Sequence, residues 1–83
     1  MIDMLPAPVA MKVVEARGFY GAEPLDQLIS AVHDGWVGET LALRMSDRTC
    51  LRYVVEWVER TGHGLVGVYP QHGYDEVIVE VRH

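Results

Sequence analysis

The sequence predicts a two-layer α/β sandwich of βαβαββ order, with a four-stranded mixed sheet and two helices on one face. Two runs carry apolar residues at helical spacing: Leu25, Leu28, Ile29 and Val32, then Leu51, Val54, Val55 and Val58. Four short β-branched or alternating runs surround them, in the order strand, helix, strand, helix, strand, strand. Two successive right-handed crossovers advancing in one direction put both helices on the same side of the sheet. They also bring both helix starts to one edge.

Lys12 to Ala16 is short and β-branched, and Gly18 ends it, so it reads as the first strand. Pro24 opens the first helix, because a missing N–H costs nothing in the first turn, and Asp34-Gly35 stops it. Thr40 to Met45 alternates, with Leu41, Leu43 and Met45 on one face. Asp47 then supplies the N-cap of the second helix, and Gly62 its C-terminal glycine. Leu65 to Tyr69 reads as the third strand, broken by Pro70. Glu76 to Arg82 reads as the fourth, after a turn at His72-Gly73. Ile78, with Val14, is expected on the open sheet face.

With 83 residues the chain makes one domain, assigned to 11–83 behind a loose lead-in at 1–10 that Pro6 and Pro8 punctuate. A domain this small buries only roughly 60% of its unfolded surface, which argues against a large enclosed active site. The apolar runs are too short to span a bilayer, and the first eleven residues carry Asp3 instead of the basic cluster of a secretory signal. A single cysteine excludes an intramolecular disulfide and suits a reducing cytoplasm. The net charge of −5 opposes non-specific binding to a phosphate backbone. Arg17, Arg44, Arg48 and Arg52 nevertheless fall near the two helix starts, where a local positive patch is expected.

The segment Arg17-Gly18-Phe19-Tyr20-Gly21-Ala22-Glu23-Pro24 leads from the first strand through a tight turn into the first helix. Its frame resembles the Cys-Pro-x-Pro signature of the TusA/SirA/YedF sulfur-carrier family. The resemblance runs from about Val14 to Arg82. It is carried by Glu15-x-Arg17-Gly18, Glu23-Pro24, Gly38-Glu39, Asp47, Arg52, Trp57 and Thr61-Gly62-His63. It implies a two-layer sandwich and a motif cysteine that carries a persulfide to a partner. A thiolate at a helix start is stabilised by unpaired amides and the helix dipole, which keeps it reactive near neutrality. Here Gly21 stands at the cysteine position and Ala22 at the following proline, and neither can hold sulfur.

Cys50 is therefore the one candidate thiol. It lies three residues past Asp47 in the first turn of the second helix, where the dipole argument applies again. On a helical wheel it sits at the edge of the apolar stripe, between filling the core boundary and serving as a relocated sulfur carrier. Phe19 and Tyr20 either cap the core or present aromatic surface to a partner. Glu15 and Glu23 are considered as an acid/base pair across the loop. His33, His63, His72 and His83 show no metal-ligand spacing, so neither a metal nor a cofactor is expected, and His63 reads as part of the helix ending.

The expected function is a degenerate TusA-like protein: a protein-binding scaffold or regulatory module in sulfur-related metabolism, not an enzyme on its own. Its binding residues are Arg17, Gly18, Phe19, Tyr20, Glu23, Pro24, Arg48 and Arg52. The alternatives are a sulfur carrier using Cys50 and, least favoured by the charge, a nucleic-acid-binding module. The expected partner is a sulfur-relay or related protein, with a homodimer as a further option and no membrane association.

Overall fold

The computed structural model describes residues 6–83; Met1 to Leu5 of the expected lead-in lie outside the described residues. The elements follow in the order β1 (Lys12–Ala16), α1 (Glu23–Asp34), β2 (Thr40–Met45), α2 (Arg48–Arg60), β3 (Gly64–Pro70) and β4 (Asp75–Glu80). The sheet order is β1-β2-β4-β3: β1 runs parallel to β2, and β4 runs antiparallel to both of its neighbours. β4 thus returns into the gap between two parallel strands.

That central place explains its composition. Val77 and Val79 face the helices, and Ile78 on the other face is buried between the flanking strands, so the run Val77, Ile78 and Val79 is apolar throughout. Both helices press on one face. Leu28 and Val32 of α1 and Val54 and Val58 of α2 share a core with Ala16, Leu41, Leu43, Met45, Val77 and Val79.

Three expectations need correction. β3 runs through Pro70, an edge position where a proline costs no ladder bond. β4 spans Asp75–Glu80 and not 76–82, although Val81 still pairs with Glu39 by backbone. Val14 belongs to the core beneath the helices and not to the open face. Ile78 does lie opposite that core, but it is 2% exposed. It pairs with Ala42 and Gly67, and the Tyr69 ring lies across Gly67, where an added β-carbon would come within 2.8 Å of it.

Thr61-Gly62-His63 closes α2 as expected. Thr61 Oγ1 donates to the Trp57 carbonyl at 2.6 Å, Gly62 takes φ +82°, and the His63 amide donates to the Val58 carbonyl. Among the described residues no helix is long and apolar enough to cross a membrane.

Candidate functional site

The loop from Arg17 to Ala22 makes two sharp changes of direction, at Gly18 (φ +88°) and Gly21 (φ +69°), in the region that disfavours a side chain. Phe19 and Tyr20 between them stand 45% and 69% exposed, so they do not cap the core. Helix α1 then begins with Ala22 at its cap position and no side-chain cap. Pro24 stands in the first turn and is fully buried, which leaves no surface for a partner.

The loop is held by the start of α2. Gly18 N–H donates to Ser46 Oγ at 2.9 Å, and Gly21 N–H donates to Asp47 Oδ2 at 3.1 Å. Asp47 Oδ1 meanwhile accepts from the Thr49 amide at 3.0 Å and from the Thr49 hydroxyl at 2.6 Å. One carboxylate therefore caps α2 and anchors the α1 loop. These donors, the Thr49 hydroxyl first, hold its pKa below the ordinary aspartate range. Gly21, Asp47 and Cys50 meet on one rim, as the crossover geometry requires.

Between the two helix starts lies an open cavity of about 780 Å³, lined by Gly21, Ala22 and Leu25 from the first and by Arg48, Thr49, Cys50, Arg52 and Tyr53 from the second. Cys50 is 5% exposed, so it is buried and not a boundary residue. Leu25, in the first turn of α1, lines the same cavity. Burial is the largest influence on the thiol and pushes its pKa up. The Leu25 backbone opposes that, and Asp47 and Asp26 add to it. Position 21, on the same cavity, is open, with no atom within 4 Å of an added β-carbon.

The expected arginine patch divides in two. Arg48 and Arg52 border the cavity; Arg48 is held by the buried Asp75 at 3.2 Å, and Arg52 by the Tyr53 hydroxyl at 3.3 Å. Arg17 and Arg44 instead join a row of ion pairs on the open sheet face. Arg17 clasps Glu15 at 2.7 Å and lies over the Tyr74 ring, and Arg44 bridges Glu15 and Glu76. The reason is strand alternation: Glu15 faces away from the helices and draws both cations with it.

Glu15 is consequently committed to Arg17, which lowers its pKa, and Glu23 meets Gln27 at 3.5 Å, so the two do not form an acid/base pair. Tyr53 and Thr49 line the cavity without having been singled out from the sequence, and Leu25 was read there only as part of the α1 apolar stripe. The one signal for Tyr53 was an aromatic at a solvent-facing helix position, where it is 52% exposed. Among the described residues, no group of three or more His, Cys, Asp or Glu gathers where it could hold a metal ion.

No protein-family model matches the chain. A curated protein of Archaeoglobus fulgidus named "Putative sulfur carrier protein" is 36% identical over 70 residues, an alignment that covers 84% of this chain and 96% of that protein. The similarity covers most of both proteins. The chain belongs to the sulfur-carrier family.

Proposed function

We propose that the chain is a TusA-like protein that serves sulfur metabolism by docking a protein partner on the rim between the two helix starts, as a scaffold or regulatory module without a carrier thiol in its motif loop. One observation carries this reading: the motif position is a glycine on an open rim, while the only cysteine lies 5% exposed beneath it. A buried thiol with a raised pKa offers little thiolate near neutrality.

The rim keeps the features of a contact surface. Phe19, Tyr20 and Tyr53 are exposed aromatics, and Arg48 and Arg52 flank an apolar floor. A cytoplasmic location goes with this reading. The arginines outside the rim are largely neutralised by Glu15, Glu76 and Glu80, which disfavours a nucleic-acid surface.

A second reading is favoured by a different observation. The Leu25 backbone at the start of α1 opposes the rise in the Cys50 pKa, so the helix where the family's own cysteine would stand acts on this thiol. As a carrier, the Cys50 thiolate would attack the outer sulfur of a donor persulfide. The donor would leave as a thiolate and Cys50 would become the persulfide.

Mass spectrometry after incubation with a cysteine desulfurase and L-cysteine separates the two. The scaffold reading expects no added sulfur. It also expects calorimetric binding to a sulfur-relay protein of the same organism that survives Cys50→Ser and is lost in Tyr53→Ala. Sulfur on Cys50, absent in Cys50→Ser, would replace it with the carrier.

A further inference from the structure

Strand β4 ends at Glu80, yet Arg82 and His83 stay against the body of the protein, held at the end of the fold away from the rim. The contacts converge on His63, the last residue before β3, which is 8% exposed. Its ring lies between Trp57, with centroids 5.7 Å apart, and His83, at 4.2 Å and 15° between planes.

His63 Nδ1 stands 3.2 Å from the backbone nitrogen of Arg82. That amide can only donate, so Nδ1 accepts and the ring is neutral, with its proton on Nε2. His83 Nε2 stands 2.6 Å from the Thr61 carbonyl, which can only accept, so this nitrogen carries a proton in either charge state of His83.

The two bonds therefore answer differently to acid. His83 keeps its bond when it is protonated. His63 does not: a proton on Nδ1 would face the Arg82 N–H donor to donor, and the new charge would sit in a mostly buried ring beside a second imidazole. The titratable and charged groups around it are few. After β4 come His83 and Arg82, whose guanidinium lies over Gly64 and is held by Glu80 at 3.3 Å. From α2 come Trp57 and the Thr61-Gly62 turn, neither of which titrates.

The carbonyl end of α2 favours a cation, but its Trp57 and Val58 oxygens already accept from Thr61 and from the His63 amide. Burial first, then His83, hold His63 below the ordinary histidine range.

We propose that His63 is an acid-released latch that fastens Arg82 and His83 across the end of α2, and that its protonation frees this segment while the sheet and both helix starts stay folded.

Nuclear magnetic resonance on the full chain tests this. At about pH 7.5, His63 is expected as the Nε2–H tautomer with a protected Arg82 amide; toward about pH 5 that protection falls roughly tenfold along the His63 titration. The amides of Leu41 and Val79 hold theirs. His63→Gln offers an oxygen in place of Nδ1 and is expected to abolish the acid step. In His83→Ala, an exposed site, the His63 midpoint moves up and the Arg82 amide still follows it.

The proposal is overturned by an Nδ1–H tautomer, by Arg82 protection that is flat with pH or falls together with Leu41 and Val79, or by an acid step that persists in His63→Gln. An acid step lost in His83→Ala while His63 still titrates would equally overturn it, by assigning the switch to His83.

Discussion

The starts of α1 and α2 lie side by side and are built in opposite ways. Helix α2 is capped from within, by Asp47 on the Thr49 amide. Helix α1 has an alanine at the same place and no side-chain cap. Its loop amide at Gly21 is taken by Asp47. The loop that leads into α1 is thus held by the cap residue of the other helix. A loop whose helix has no side-chain cap of its own is held by a carboxylate of the other helix start, and contacting groups of this kind are where mutational effects fail to add.

The largest effect expected from this contrast is on thiol chemistry. A cysteine at position 21 would stand on the open side of the cavity, whereas Cys50 is beneath it. In a Gly21→Cys, Cys50→Ser protein, alkylation by iodoacetamide near neutral pH should run about 100-fold faster than at Cys50 in the unaltered chain. The left-handed backbone at Gly21 makes the substitution cost about 1–2 kcal/mol of stability. Equal alkylation rates would mean that the rim does not distinguish its two sides.

Next in size is the shared carboxylate. Asp47→Ala removes a helix cap and the Gly21 anchor together, and thermal unfolding should move down by about 5–8 °C. Asp47→Asn should recover at least half of that, because an amide oxygen still caps α2. If Asp47→Ala left the Gly21 amide as protected from exchange as before, the coupling between the two starts would be absent.

The pH dependence contrasts the rim with the opposite end of the fold. His63 has a lowered pKa, so the unfolded chain takes up its proton first. Its contribution is full above the ordinary histidine range, near about pH 6.5, and is lost as pH falls below it. Asp47 and Glu15 are also lowered, and theirs is lost only further down, below about pH 4. Denaturant titrations should therefore show two acid steps, of which His63→Gln removes only the upper.

The smallest effect belongs to the exposed side of the cavity. Arg52→Ala should shift the unfolding temperature by no more than about 2 °C, since its described partner is the neighbouring Tyr53 hydroxyl.

Much of this was legible in the sequence, because its signals are local. The stripe from Leu51 to Val58, the cap at Asp47 and the glycine at 62 each mark α2 within a few residues, and the structure has it at Arg48–Arg60. The crossover rule expected Gly21, Glu23, Asp47 and Cys50 on one rim without any knowledge of side-chain packing; Gly21, Asp47 and Cys50 do meet, while Glu23 turns to Gln27 and does not line the cavity. The arginines were misjudged for a long-range reason. Proximity in sequence to a helix start does not say which face of a strand a residue leaves from, and Glu15 and Glu76 drew Arg17 and Arg44 to the open face. Cys50 was placed at a boundary because a helical wheel knows its own helix, not the neighbouring α1 start that covers it.

By itself, then, the sequence determined the order of elements, the helix ends and the absence of a thiol at position 21, all of which rest on residue type and short-range spacing. Only the tertiary structure decided that β4 would fill the gap between β2 and β3, that one aspartate would serve two helix starts, and that His63 would be stacked between Trp57 and His83. Each of these joins groups far apart along the chain. Such a pairing is selected by the packing of the whole fold, and no local pattern of residues encodes it.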